Sequence, residues 1–220
     1  QRGGFNDRLA DATGKEIFSY HASVPVRDQP GRVLISDILA ELGRVFDEYK
    51  NAAGTERIAE WQMAAADALR DVGNTLDARS KEGHVRRAHG DLHLRNLVLI
   101  EGRPVPFDAL EFDETLGTCD VLYDIAFLVM DLCHRGLRRQ ACLTLAAWLR
   151  EARGAQDAGL VGLPLFLSVR AAIRAMVLLQ TDKARRMIGA SAAEISEYVT
   201  LACDALKPKA PKLIAIGGFS

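Results

Sequence analysis

The sequence predicts a mainly α protein (α+β): a helical bundle carrying one small β-hairpin. Three observations predict it. Apolar residues recur at helical spacing through most of the 220 residues. Capping residues and glycines punctuate those stretches at helix-like intervals. Within residues 1–206, Val85 to Asp108 breaks the helical period, with the apolar run Leu97-Val98-Leu99-Ile100, a turn at Glu101-Gly102, and a second short run, Pro104-Val105-Pro106-Phe107-Asp108.

Taken in order, Gln1-Arg2-Gly3-Gly4 lacks an initiator methionine and reads as the interior of a longer chain. Phe5, Leu9, Ile17, Phe18 and Tyr20 mark helical turns, with a restart at Thr13, where Thr13-x-x-Glu16 has the capping-box form. His21 reads as a helix-end or core histidine. A Pro/Gly-bearing loop, Val24 to Arg32, leads to Ser36 as the N-cap of a helix presenting Ile38, Leu39, Leu42, Val45, Phe46 and Tyr49. Gly54 breaks that helix. Thr55 opens a long one with Ile58, Trp61, Leu69, Val72 and Leu76 inward, ending near Gly83. After the hairpin only helix is expected. Val121 to Cys133 is apolar apart from Asp124 and Asp131, so it should run through the middle of the domain. Asp131 and His134 read as that helix's polar end. Leu137 to Arg153 is amphipathic, a Gly/Asp loop spans Gly154–Gly162, and Leu165 to Gln180 is again very apolar. Arg170 and Arg174 lie one turn apart on it, placed for internal salt bridges or for an anionic substrate. Ser191-x-x-Glu194 opens a last helix to about Leu206.

Composition narrows the classes. Hydrophobic residues make up 49% and charged ones 26%, the profile of a globule with a proper core. A formal charge of -1 gives no reason to expect a nucleic-acid or membrane partner. No apolar run is expected to span a bilayer. Cys119, Cys133, Cys142 and Cys203 have no metal or redox spacing and read as buried reduced thiols of a cytoplasmic protein.

The hairpin region carries the chemistry. Returning strands bring the loop residues Asp91 and Asn96 towards Asp108, so three oxygen-bearing side chains converge at one end of a ribbon. Such a donor set suits magnesium, which takes one or two carboxylates and leaves the rest of its shell to water and phosphate.

His89-Gly90-Asp91, with Asn96 five residues after the aspartate and Asp108 closing a strand–turn–strand, resembles the catalytic loop of the kinase-like phosphotransferases. The central glycine makes it similar to the aminoglycoside phosphotransferase branch. The resemblance covers about Phe5 to Leu206 and implies the C-terminal lobe of a protein-kinase-like fold, without its N-terminal lobe. It implies that Asp91 orients the attacking hydroxyl and that His89 braces the loop. Asn96 and Asp108 would hold Mg2+ and, through it, the phosphates of ATP or GTP. Asp120-Val-Leu-Tyr-Asp124 is similar to the family's helix opening, whose acids tie the loop in place. The implied acceptor is a hydroxylated small molecule. Two positions depart from the family pattern: Ala109 follows Asp108 where many relatives carry tryptophan, and His93 stands where protein kinases carry lysine.

Domain organisation follows from the same reading: residues 1–206 form the lobe, and 207–220 a linker and a first strand. Leu213-Ile-Ala-Ile-Gly217-Gly218-Phe219-Ser220 resembles the opening of a P-loop, implying a second, P-loop kinase-like domain. No glycine-rich phosphate cover or Val-Ala-x-Lys strand occurs, so this chain alone is expected to be inactive. Two other readings stand beside this one. His89, Asp91 and His93 would suit a metal-dependent hydrolase, and a pseudokinase or interaction module would retain the loop for structural reasons.

Overall fold

The computed structural model describes residues 4–49, 55–110 and 114–208, and its architecture is mainly helical. Helices α1 (Asp7–Ser23), α2 (Gly31–Glu48) and α3 (Thr55–Lys81) precede strand β1 (Val85–Arg87). A 3-10 turn at Leu94–Asn96 leads into β2 (Leu97–Ile100) and β3 (Arg103–Pro106). The short α4 (Glu114–Gly117) and β4 (Thr118–Asp120) come before α5 (Val121–His134), α6 (Arg138–Ala152), α7 (Leu163–Ala184) and α8 (Ala192–Leu206).

Helix α5 is the centre of the core. Every residue from Val121 to Leu132 is buried, which its near-continuous apolar sequence requires. Helices α6 and α7 pack on it, α1 lies against α6, α2 against α3, and α8 against α7. Gly14 permits the α1–α6 approach: a Cβ there would collide with the Thr144 carbonyl on α6. Three helices are pinned by one buried chain of bonds. Trp61 Nε1 on α3 donates to Ser168 Oγ on α7 at 2.8 Å, and that hydroxyl donates to the Ala202 carbonyl on α8, also at 2.8 Å.

Several sequence expectations are corrected. Helix α1 does not restart at Thr13, whose hydroxyl bonds back to the Leu9 carbonyl at 2.7 Å; its start is capped by Asn6, which accepts from Leu9 N–H at 3.0 Å. Helix α2 begins at Gly31, not beyond Ser36, because Asp77 on α3 accepts from Arg32 N–H at 3.0 Å and replaces a local cap. Ser191 precedes α8 but does not close a capping box, since its hydroxyl donates to Asp182 at 2.8 Å. Gly154–Gly162 is not simply loop: Asp157–Gly162 forms a 3-10 helix running into α7. Of the cysteines, all free, only Cys119 is buried and Cys142 is exposed. The expectation that no run is long and apolar enough to cross a membrane also fails by length and composition. Asp157–Ala184 passes that test, yet half of its apolar window is buried inside the protein, where α7 packs on α5 and α8. The helix break placed at Gly54 and the tail strand from Leu213 lie outside the described residues.

The strand layout differs as well. The hairpin is β2–β3, with Leu97 opposite Pro106 and Ile100 opposite Arg103. Strand β1 takes no part in it; it pairs antiparallel with β4, Val85 opposite Asp120, so the chain after the hairpin is not purely helical. Strand β2 is open on both faces: Val98, Leu99 and Ile100 are all exposed.

Candidate functional site

The loop from His89 to Asn96 connects β1 to the hairpin, and α5 runs beneath it. Gly90 has φ +80, a left-handed conformation that glycine adopts without strain. A Cβ there would also meet the Leu116 carbonyl at 2.9 Å. The Gly90 carbonyl accepts from Arg170 Nη1 at 3.0 Å.

Buried acids hold the loop from below. Asp124 accepts from His89 N–H at 3.2 Å and from Gly90 N–H at 2.9 Å. Its second partner is His21: Nε2 donates to Asp124 Oδ2 at 3.0 Å, while Nδ1 accepts from Trp148 Nε1 at 3.1 Å, which fixes the tautomer. Burial alone would raise the Asp124 carboxyl, but the His21 bond and the neighbouring Arg170 and His89 hold it below the ordinary value. Asp131 grips the other end, accepting from Leu94 N–H at 3.0 Å and from Arg135 Nε at 3.0 Å. It is buried and is no mere polar helix end, as the sequence reading had it. Asp120 does not touch the loop. It caps α5 by accepting from Leu122 N–H at 2.7 Å, and receives the Arg79 guanidinium through two bonds of 2.7 Å each.

Above this floor sit the polar side chains. Asn96 Nδ2 donates to both the carbonyl and the carboxylate of Asp91, at 3.0 and 3.1 Å. His93 Nε2 stands 3.4 Å from Asp91 Oδ2. That His93 contact is the chief reason the Asp91 carboxyl is held below its ordinary value, against the upward pull of partial burial.

Asp108 is positioned by the backbone on either side of it. Phe107 N–H donates to the Asn96 carbonyl at 3.0 Å, and the Phe107 carbonyl accepts from His89 Nε2 at 2.9 Å. Leu110 N–H donates to the His89 carbonyl at 3.1 Å. Between these ties Asp108 has φ +61, in a region few non-glycine residues occupy, and it is exposed. Strained backbone of this kind persists only where neighbouring contacts over-determine it.

Asn96 and Asp108 carry an amide oxygen and a carboxylate, hard oxygen donors of the kind magnesium takes. Among the described residues no group of three or more His, Cys, Asp or Glu is placed to hold a metal ion. The His89, Asp91, His93 set that a hydrolase would use is not gathered, since the His89 ring donates away to Phe107.

A cavity of about 460 Å3 opens beside Gly90 and Asp91, between α2 and α7. Asn96 and Asp108 do not line it, so Asp91 both lines the cavity and bonds to Asn96, which lies outside it. Arg170 lines the cavity; its Nη1 and Nε donate to the carbonyls of Gly90 and Tyr123, while its buried Nη2 has no hydrogen-bond partner and lies 3.6 Å from the Asp124 carboxylate. Arg174 does not line it; its guanidinium lies 5.9 Å from the centre of the Tyr198 ring.

Sequence reasoning missed Asp131, His21 and Arg79 as supports. Asp131 was readable: it lies two helical turns after Asp124, on the same face of an otherwise apolar helix. His21 and Arg79 had no local signal, because their partners lie 103 and 41 residues away.

Over 219 aligned residues the chain is 25% identical to an uncharacterized protein of Mycobacterium bovis and to uncharacterized proteins of two Mycobacterium tuberculosis strains. Each match covers 94% of this chain and 42% of the relative, so the chain spans less than half the length of the curated proteins it resembles. No protein-family model and no solved structure matches it.

Proposed function

We propose that this chain carries the catalytic loop of a phosphotransferase acting on a hydroxyl of a small molecule, with ATP or GTP as donor. The observation that carries the proposal is the Asn96–Asp91 contact, with the segment around Asp108 tied to the loop by two backbone bonds and one from the His89 ring. In this reading Asn96 and Asp108 hold Mg2+, which when bound neutralises charge on the nucleotide phosphates.

The remaining chemistry belongs to the side chains themselves. Asp91, kept ionised by His93, accepts a hydrogen bond from the acceptor hydroxyl and orients its oxygen. A carboxylate held below its ordinary value is a weak base. Its main work is therefore positioning, which suits a loose transition state that needs little proton abstraction. Asn96 fixes the Asp91 rotamer. Asp124, Asp131 and Arg170 keep the loop backbone in one shape, so the geometry is set before substrate arrives.

Under this proposal the phosphate cover and its lysine belong to an N-terminal lobe of the same protein, followed downstream by a P-loop domain. The natural setting is cytoplasmic, where the nucleotide is found and where four free cysteines stay reduced.

The test is magnesium-dependent nucleotide binding by the full-length protein, read as a shift in melting temperature. Asp108→Asn should remove the shift. Asp91→Asn should keep it and abolish transfer to a hydroxyl. Absence of any magnesium-dependent shift at millimolar nucleotide, or undiminished transfer by Asp91→Asn, would end the proposal.

A further inference from the structure

The phosphotransferase reading leaves the acceptor open, and the cavity at Asp91 narrows it. Its α2 wall presents Leu34, Ile35 and Ile38, and its α7 wall Ile173, Met176 and Val177. Leu116 and Val177 line it and are exposed, so part of its apolar lining faces solvent. At about 460 Å3 it has the size of a small-molecule site.

Charge decides what does not belong there. Four acids line the cavity: Asp37, Glu41, Asp91 and Asp120. Asp120 is taken by Arg79, and Glu41 is bonded to Arg44 at the exposed surface of α2. Asp37 is exposed, and Asp91 already accepts from Asn96 and faces His93 at 3.4 Å, so the buried part offers too little uncompensated negative charge for a polyamine stripped of water. An anion fares no better. Arg170 is stacked 3.8 Å over the Tyr123 ring, lies 3.6 Å from the Asp124 carboxylate and donates to the carbonyls of Gly90 in the loop and Tyr123 on α5. Its charge is paired with Asp124, and the one donor left over, the buried Nη2, lies on the Asp124 side of the guanidinium.

From this lining we infer that the acceptor is an uncharged alcohol on a predominantly hydrocarbon body. The body lies between α2 and α7 and the hydroxyl sits at Asp91. The inference rests on the phosphotransferase reading for the word acceptor. The step is balanced as follows: the alcohol oxygen forms a bond to the γ-phosphorus of the nucleotide as the bond to the bridging oxygen breaks. The nucleoside diphosphate leaves with that electron pair, and the hydroxyl proton passes by way of Asp91 to solvent.

The experiment titrates 1-octanol and, separately, kanamycin against the full-length protein by saturation-transfer NMR, with and without magnesium and ATP. The expected result is saturable 1-octanol binding, no kanamycin binding, and octyl phosphate by mass spectrometry once the nucleotide is added. Ile173→Trp, filling the cavity from a half-buried position, should weaken 1-octanol at least tenfold without lowering the melting temperature. Leu34→Asp on the opposite wall should do the same and covers the case of one variant folding badly. If nucleotide binds but 1-octanol does not, or if both variants bind it as tightly as the parent, the substrate class is wrong and the phosphotransferase reading survives. If 1-octanol binds and no nucleotide does, the alcohol is no acceptor and both ideas fall together.

Discussion

Asp124 and Asp131 stand two turns apart on one face of α5 and grip opposite ends of the same loop, through Gly90 N–H at 2.9 Å and Leu94 N–H at 3.0 Å. A rigid helix thereby sets the span of a segment that has little regular structure of its own. The arrangement explains how an otherwise apolar helix carries two buried acids: each is compensated by backbone donors and by a basic side chain.

Removing either clamp should be costly, and unequally so. Asp124→Ala leaves the N–H groups of His89 and Gly90 and the His21 ring without their buried acceptor, and should lower stability by about 3–5 kcal/mol. Asp131→Ala frees Leu94 N–H and Arg135, closer to solvent, and should cost about 1–3 kcal/mol. Urea unfolding measures both, and equal losses would contradict the difference in burial.

The Asp124 carboxyl also sets an acid limit. Its folded value lies below the ordinary 3.8, so its stabilising contribution is complete above pH 3.8 and is lost as pH falls through the folded value. The stability difference between the parent and Asp124→Asn should therefore hold steady at neutral pH and shrink below pH 3.8. A difference that grows on acidification would reverse the sign and refute the assignment.

Arg79 and Asp120 form a buried pair with a second function, since Asp120 also caps α5. Arg79→Met should cost about 3–5 kcal/mol, because it strands a buried carboxylate. Adding Asp120→Ser keeps a capping oxygen and removes the stranded charge. The double variant should recover part of the loss in a denaturation series.

His93 controls Asp91. With the His93 contact gone, in His93→Phe, the Asp91 titration midpoint should move up, by the loss of the largest downward influence on it. Carbon-13 NMR of the carboxyl reads this directly, and an unmoved midpoint would remove His93 from the site.

Gly90→Ala tests the loop's shape. The substitution asks an L side chain to adopt φ +80 and to sit 2.9 Å from the Leu116 carbonyl. A loss of about 1–3 kcal/mol is expected, together with a loss of nucleotide-dependent stabilisation larger than that stability loss explains. Wild-type behaviour would mean that the loop tolerates another conformation.

The sequence by itself determined the mainly helical class, the central position of α5, and the turn at Glu101-Gly102 that brings β3 back along β2. These follow from local period and composition: an apolar helix has to be buried, and Glu101 and Gly102 both take positive φ in a tight turn. The spacing of His89, Asp91, Asn96 and Asp108 was equally legible, because all four lie within one short stretch of chain. Helix starts were not. Asp77 caps α2 from another helix, and the Thr13 hydroxyl turned to its own helix, so cap-like residues misled where a distant group took over.

Only the tertiary structure decided the rest. It paired β1 with β4, set His21 and Trp148 behind Asp124, closed Arg79 on Asp120, and opened an apolar cavity against Asp91. Each of these joins residues far apart in the chain. Side chains of that kind are selected by what the folded packing leaves unsatisfied, and no local pattern of residues records it.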